Sequence, residues 1–412
     1  EKMESADFDS WLDYFEYQAD FLTNHEVPVL WAWRPVTEDI DGTVVKFERN
    51  PYYWQVDPEG NQLPYIDEVR FTLIEEGDMS VMQAVSGELD FQSRHLPIDE
   101  LPTLVDHEDQ GEYRTYLGSG DSGSALSLMP NQNIQDDTWK KELYQNKRFR
   151  HALSLAINRE ELNEMQFLGL GTPRQASPLP QSPFYSSEWE EAYVEYDPEK
   201  AIEILEDELG LTEKNNEGYR VRPDNGETLR IIFDTSTDIV NVSSLELIQN
   251  YFENIGLETI INTMDRTLYF ERTLSGDHDI AIWVTDRMLR PDLNPRWWAV
   301  LDEDNHHYAP LWGLWAATDG EQGEEPPEYY KRLQEIRKEL PSVFDIEERK
   351  ELMAEVADIM KEQIHIIGTV GQMPHVYVIN KDIKNIPEGV YVGGEITRSA
   401  GYMRPQNLFF DN

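Results

Sequence analysis

Between Leu229 and Val284 the spacing of apolar residues alternates between two periods. Leu229–Phe233 is a short apolar run, and Ser244–Ile255 carries its apolar residues at helical spacing and stops at Gly256. Leu257–Thr263 is a second short run, Leu268–Leu274 returns to the helical period, and Asp279–Val284 is a third short run. Short runs bounded by turn residues read as strands, and 3.6-period segments as helices. Strand, helix, strand, helix, strand predicts neighbouring parallel strands, because a helical crossover brings the chain back to the same end of a sheet. The expectation is an α/β fold with an open, largely parallel sheet, right-handed crossovers and helices on its faces.

A chain of 412 residues exceeds one small core, so two or more lobes are expected. Its apolar fraction of 39% is enough for sizeable cores, and no run of about 18 apolar residues suggests a membrane span. The opening Glu1-Lys-Met-Glu-Ser-Ala-Asp has neither the basic end nor the apolar stretch of a signal peptide. Such a segment is expected to have been removed or to lie upstream. Zero cysteines exclude disulfides, thiolate metal sites and cysteine nucleophiles. The formal charge of −45, from 80 acidic and 35 basic residues, repels nucleic acid and anionic lipid. Self-repulsion of that size is tolerated best in salt, where the Debye length falls to about 3 Å at 1 M. A saline source and an ordinary acidic extracytoplasmic protein both fit.

Local signals place further elements. Phe8, Trp11, Tyr14 and Phe15 form a helical face, and Val29–Trp33 and Thr43–Glu48 read as strands. A helix is expected from an Asp78 cap to a Gly87 stop, with Val81, Met82 and Val85 inward. Asn158 with Glu161 caps a helix that would bury Leu162, Met165 and Leu168. Asp197-Pro198 starts another, with Ala201, Leu205 and Leu209 inward and Gly210 as its stop. Longer helices are expected at about 326–339 and 346–363, the second capped by Asp345, and His375–Ile379 reads as a strand.

Three runs carry a likeness to a known family. The longest is Arg148-Phe-Arg-His-Ala-Leu-Ser-Leu-Ala-Ile-Asn-Arg-Glu-Glu-Leu, followed by Gly169-Leu-Gly-Thr-Pro, Ser177-Pro-Leu-Pro and Tyr196-Asp-Pro-Glu-Lys-Ala. Arg49-Asn-Pro-Tyr-Tyr-Trp54 leading to Leu63-Pro-Tyr-Ile-Asp, and Gly87-Glu-Leu-Asp90, precede it in order. Together they resemble the family 5 extracellular solute-binding proteins, the peptide, nickel and oligosaccharide receptors of ABC importers.

The resemblance implies a periplasmic-binding-protein-like two-lobe fold (type II, cluster C-like) with mixed sheets flanked by helices. Lobe I would take residues 1–127, lobe II 128–370, and 371–412 would return to lobe I. The interlobe crossings would lie near Ser124–Asn133 and Gly368–Met373. Lobe I is expected to be incomplete, since family members carry a longer stretch before the Asn-Pro-Tyr-Tyr-Trp run. The implied protein is a monomer at the extracytoplasmic side, periplasmic or lipid-anchored. It captures a small-molecule ligand, an oligosaccharide or short peptide, and presents it to an ABC transporter permease.

Ligand contacts are expected from aromatic and polar side chains. Trp31 and Trp33, Trp297 and Trp298 could stack on sugar faces or peptide side chains, although core packing is the ordinary use of any one tryptophan. The latter pair follows Pro291 and Pro295, in a stretch where loops at strand ends line ligand sites in α/β sheets. Trp283-Val-Thr-Asp286 resembles the Gly-Trp-x-x-Asp strand end whose Asp pairs with a peptide's amino group in relatives. Here Ile282 replaces the glycine, and Asp286 could equally pair with Arg287 or Arg290. Asn131, Asn133, Arg266 and Arg287 supply further polar groups, each with an ordinary structural use.

Asp277-His-Asp279 and His306-His307 lack metal-ligand spacing, and no metal or cofactor is expected. No Gly-x-Ser-x-Gly, phosphate loop or dinucleotide fingerprint occurs, so no catalytic residue is assigned. The rival readings are a carbohydrate-active hydrolase, marked by two carboxyls about 5–9 Å apart across a cleft, and a broad peptide-binding chaperone.

Overall fold

The computed structural model describes residues 8, 10–21, 24, 26–36, 43–74, 78–94, 96–236, 239, 241–301, 307–387, 389, 391–392 and 401–411. Among these the chain forms two compact units. Residues up to Gly118 and from His375 onward belong to the first, and Ser119–Pro374 to the second.

The first unit starts with helix α1 (Trp11–Ala19), capped by the Ser10 side chain on the Asp13 N–H. Of the expected aromatic face Trp11, Tyr14 and Phe15 are helical and Phe8 precedes the cap; none of the helix's residues is buried, and Trp11 is 71% exposed. Strands β1 (Trp33–Pro35), β2 (Val44–Arg49) and β3 (Glu68–Thr72) make an antiparallel sheet in that order. The strand expected at Val29–Trp33 therefore begins only at Trp33. The Asn50 amide explains this: it donates to the carbonyls of Val29 and Trp31, holding that stretch as a loop.

Helix α2 (Asp78–Ser86) ends before Gly87, which adopts a positive φ of 77°. Its inward residues are Val81 and Ala84, whereas Met82 is exposed, one position off the expected face. The Asp78 side chain lies outside the described residues. Strand β4 (Phe91–Gln92), helix α3 (Leu101–Asp106) and strand β5 (Tyr113–Gly120) follow.

The second unit opens with β6 (Ser124–Pro130) and continues through α4 (Thr138–Gln145), α5 (Lys147–Leu155), α6 (Arg159–Phe167), β7 (Thr172–Pro173), α7 (Ser187–Glu190) and α8 (Pro198–Glu203). The alternating segment then gives β8 (Arg230–Ser236), α9 (Val242–Asn254), β9 (Glu258–Met264), α10 (Arg266–Ser275) and β10 (Ile280–Thr285). Helices α11 (Pro310–Ala317), α12 (Glu328–Glu339) and α13 (Ile346–Gln363) lead into β11 (Ile367–Gly368) and β12 (Val370–Gly371). The caps read from sequence form as side-chain bonds: Asn158 to Glu161 N–H, Asp197 to Lys200 N–H, and Asp345 to the N–H groups of Glu347 and Glu348. Two inward faces differ from expectation. Met165 and Leu168 are exposed, and past Glu203 the helix widens into a π-turn over Ile204–Glu208 that keeps Leu205 buried.

The second unit's sheet has the order β11-β6-β10-β8-β9. The expected parallel core is there, since β8 runs parallel to both β9 and β10. β6 and β11 add an antiparallel margin, which makes the sheet mixed. Side chains alternate across it with period two. On β10, Ile280 and Ile282 enter a core with Leu128, Phe149, Phe233 and Phe252, while Ala281 and Trp283 enter another with Trp297, Trp312 and Tyr330. Each such buried aliphatic chain contributes about 1.5–3 kcal/mol.

The chain re-enters the first unit as β13 (Pro374–Asn380), continues to β14 (Ile383–Lys384) and β15 (Tyr391–Val392), and ends near β16 (Phe409–Phe410). The strand expected at His375–Ile379 is thus present, in a sheet ordered β15-β5-β13-β4. It too is covered on both faces: Val376 and Val378 pack with Val81, Leu104 and Tyr113, and Tyr377 and Ile379 with Ile383 and Leu408.

The longest signature run turns out to be scaffolding. Arg150 and Arg159 are fully buried without a carboxylate partner among the described residues. Arg150 donates to the carbonyls of Gln363 (2.8 Å) and Tyr144 (2.6 Å), and Arg159 to those of Gly368 (3.0 Å), Ser154 (2.9 Å) and Val194 (3.1 Å). Burial pulls their pKa values down to about 10 and about 9, so both stay charged at neutral pH. Arg150 ties α5 to the ends of α4 and α13, and Arg159 ties α6 to β11.

Candidate functional site

In open α/β sheets ligands bind beyond the carboxyl ends of the parallel strands. In the second unit that edge is where β8, β9 and β10 finish, at Ser236, Met264 and Thr285. Antiparallel β6 begins there, with Ser124 opposite Thr285. Ser127 Oγ lies 2.7 Å from Thr285 Oγ1, and Gly123 N–H donates to the Thr285 carbonyl at 2.8 Å.

Just past β10 the chain makes a tight turn through Asp286, Arg287 and Met288. Arg287 has φ +64°, an uncommon setting for a side-chain-bearing residue. Three bonds hold it. Met288 N–H donates to the Asp121 carbonyl at 3.0 Å, the Arg287 N–H donates to the Asp121 carboxyl, and Trp297 Nε1–H donates to the Asp286 carbonyl at 2.8 Å. The Asp286 carboxylate projects between two guanidiniums, 2.8 Å from Arg296 and 3.4 Å from Arg287, and all three side chains are partly exposed. Asp121 beside them is only 2% exposed. Burial and the neighbouring Asp286 charge push its pKa up to about 7, against the opposing pull of Arg287.

Behind this charged turn stands a column of rings. Trp283 stacks on Tyr269 (5.1 Å, 16°) and on His307 (5.3 Å, 19°), and His307 stacks on Trp297 (5.8 Å, 14°). The Arg266 guanidinium lies 5.2 Å from the Trp283 ring, and that of Arg296 lies 4.5 Å from the Trp297 ring. The column gives the turn a stiff wall, and cations occupy ring faces that would otherwise be open.

Of the residues singled out from sequence, Arg266, Trp283, Asp286, Arg287 and Trp297 come together here. Trp297 is 2% exposed and Trp298 is fully buried, with Nε1–H donating to the Pro291 carbonyl at 3.1 Å, so both are core side chains within this unit. Asn131 and Asn133 do not join the cluster. Because β6 is antiparallel to β10, Pro130 lies opposite Ile280, at the amino end of β10. That is roughly 17 Å of strand away from Thr285. Both asparagines are buried and already bonded: Asn131 to the Gly276 and His278 carbonyls at 2.8 Å, Asn133 to the Leu311 N–H at 3.1 Å. Trp31 and Trp33 belong to the first unit. Trp31 lies outside the strand, 51% exposed, edge-on to Phe21, while Trp33 donates to the Ile66 carbonyl at 2.9 Å, so they share no strand face.

Sequence reading missed Asp121, Arg296 and His307 as members of this cluster. Nothing in their spacing marks them, because Asp121 comes from the connection before β6 and Arg296 and His307 from the long one after β10. No group of three or more His, Cys, Asp or Glu with metal-binding geometry occurs among the described residues. His307 is a stacking residue whose Nδ1 lies 3.1 Å from the Tyr269 hydroxyl, and His306 lies outside the described residues.

A family model described as bacterial extracellular solute-binding proteins, family 5 middle, matches residues 36–305. The periplasmic alpha-galactoside-binding protein of Rhizobium meliloti (strain 1021) is 26% identical over 396 residues, 91% of this chain and 54% of that protein. Among solved structures, an oligopeptide-binding protein OppA is 34% identical with a TM-score of 0.70, covering 98% of this chain and 66% of the other. The periplasmic binding protein MelB of Agrobacterium fabrum C58, solved in complex with stachyose, has a TM-score of 0.73 at 21% identity, covering 93% and 57%. The chain thus spans between about half and two thirds of the length of these proteins. No described helix is long and apolar enough to cross a membrane.

Proposed function

The chain belongs to the family 5 bacterial extracellular solute-binding proteins, and from that premise we propose that it is the receptor of an ABC importer for a neutral oligosaccharide. In this reading it works at the extracytoplasmic side as a monomer, binds without making or breaking bonds, and hands its ligand to a permease. The two compact units correspond to the family's two lobes, and the second contributes the turn at Asp286–Met288.

The observation that carries the ligand class is the pairing of Asp286 with Arg296 and Arg287. A carboxylate awaiting an ammonium group would stand alone. This one is already neutralised, which leaves acceptors and donors side by side, the set that sugar hydroxyls need. Similarity to an alpha-galactoside-binding protein supports the same class. A short peptide is the second reading, favoured by the 34% identity to an oligopeptide-binding protein. Hydrolysis is disfavoured because the carboxyl beside Asp286 in this turn, Asp121, is buried and committed to holding the backbone.

The test is titration calorimetry with stachyose and with di- to pentapeptides on the wild type, Asp286→Ala and Arg296→Ala. For a sugar, both variants weaken binding about 10- to 100-fold, the worth of one charged hydrogen bond. For a peptide, Asp286→Ala abolishes binding but Arg296→Ala strengthens it, by freeing the carboxylate. That second pattern would overturn the sugar reading. Release of reducing ends from stachyose would overturn the receptor reading.

A further inference from the structure

Asn241, which caps α9, has the chemistry of a glycan acceptor, and we propose that it is N-glycosylated. It stands in Asn241-Val242-Ser243, the Asn-x-Ser/Thr pattern without proline, and no other asparagine of this sequence has Ser or Thr two positions on. Three-residue patterns occur by chance, so the geometry decides. Asn241 is exposed, on the connection from β8 to α9. Its Oδ1 accepts from the Ser243 N–H at 3.1 Å and from Ser243 Oγ at 2.9 Å, tying together the amide and hydroxyl of the pattern. Gln166 Oε1, 2.6 Å from the same hydroxyl, competes for its one proton, while the backbone bond is unaffected.

The amide nitrogen is the atom that would form the new bond, and no described residue accepts a hydrogen bond from it. The contrast with other asparagines is sharp. Asn50, Asn131 and Asn163 spend Nδ2 on main-chain carbonyls, and substitution there would break the fold. Capping α9 uses only the oxygen. An N-linked sugar leaves that oxygen in place, so the helix keeps its cap.

The donor would be a sugar carried on a lipid phosphate or pyrophosphate. Its anomeric C–O bond breaks, a bond from the anomeric carbon to Nδ2 forms, the lipid phosphate departs, and Nδ2 gives one proton to a base of the transferase. Such transfer takes place outside the cytoplasmic membrane, so this inference rests on the proposed extracytoplasmic location.

The protein isolated from the cells that make it is digested with trypsin, and the peptide of residues 231–266 is weighed. The expected peptide is heavier than its sequence by a series of sugar masses located on Asn241. In the same cells Asn241→Asp, which retains a capping oxygen, and Ser243→Ala, which retains the asparagine, each reduce occupancy to none. A native peptide at its sequence mass, or modification that survives Ser243→Ala, overturns the proposal. The ligand titration is scored separately: an unmodified protein that binds stachyose sinks only the glycan, and a glycosylated one that binds no solute sinks only the receptor.

Discussion

Replacing Asp121 by asparagine should make the protein more stable at alkaline pH and no more stable in acid. The folded state holds this carboxyl at a pKa of about 7, against about 3.9 in an unfolded chain. The raised value fixes the sign. Below pH 4 the group is protonated in both states and costs nothing. As pH rises from 4 to 7, the unfolded chain releases its proton and the native one does not, so stability falls, and above 7 the full cost remains. A gap of roughly three units amounts to about 4 kcal/mol.

In Asp121→Asn the side-chain amide would stay neutral throughout, its oxygen still facing the Arg287 N–H and its nitrogen able to donate to Asp286. For a unit of this size 1 kcal/mol moves Tm by about 2–4 °C, so at pH 8 the variant should melt roughly 8 °C or more above the wild type. At pH 4.5 the difference should shrink to about 1 kcal/mol, roughly 2–4 °C, on its way to zero below pH 4. The assay is a set of paired melts at pH 4.5, 6 and 8 in 1 M salt. Its readout is the difference between the two proteins, which cancels titrations they share. Parallel curves across that range would refute the placement of Asp121 beside Asp286.

Three further outcomes follow from named contacts. Trp297→Ala should cost about 3–5 kcal/mol in urea unfolding, since the ring is buried in the stack against His307, whereas Trp31→Ala should cost less than about 1 kcal/mol; equal costs would contradict the burial assignments. At Gly371 an added Cβ would sit 2.1 Å from the Gly123 carbonyl oxygen, so Gly371→Ala should lose about 1–3 kcal/mol in the same assay, and an unchanged midpoint would mean that these segments do not run so close together. With a formal charge of −45, Tm should climb between 0.1 and 2 M sodium chloride as screening tightens; a flat or falling Tm would show that self-repulsion does not govern its stability.

Much of the second unit was legible before any coordinates. The apolar periods of 229–284 yield three parallel strands and two helices, and the side-chain oxygens of Asn158, Asp197 and Asp345 cap helices where expected. These features are local, set by neighbours a few residues apart. Expectations failed where a distant group intervened. Val29–Ala32 has the composition of a strand, but Asn50 takes two of its carbonyls. Asn131 and Asn133 suit a polar site, but the antiparallel strand β6 carries them to the opposite end of β10 from Asp286.

By itself, then, the sequence determined the family, the α/β class and the strand–helix order, because apolar period, caps and short motifs are written along the chain. Only the tertiary structure decided which side chains meet around Asp286. It chose core packing over an open stacking role for Trp297 and Trp298, and it paired Asp286 with Arg287, one of the two partners the sequence offered, and with Arg296, which the sequence did not offer. It also brought a buried Asp121 next to it. Asp121 lies on the connection before β6 while Asp286 and Arg296 lie on the one after β10, and the charge on Asp121 depends on Asp286 and Arg287 and on how far water is excluded. Neither quantity is encoded at any one position.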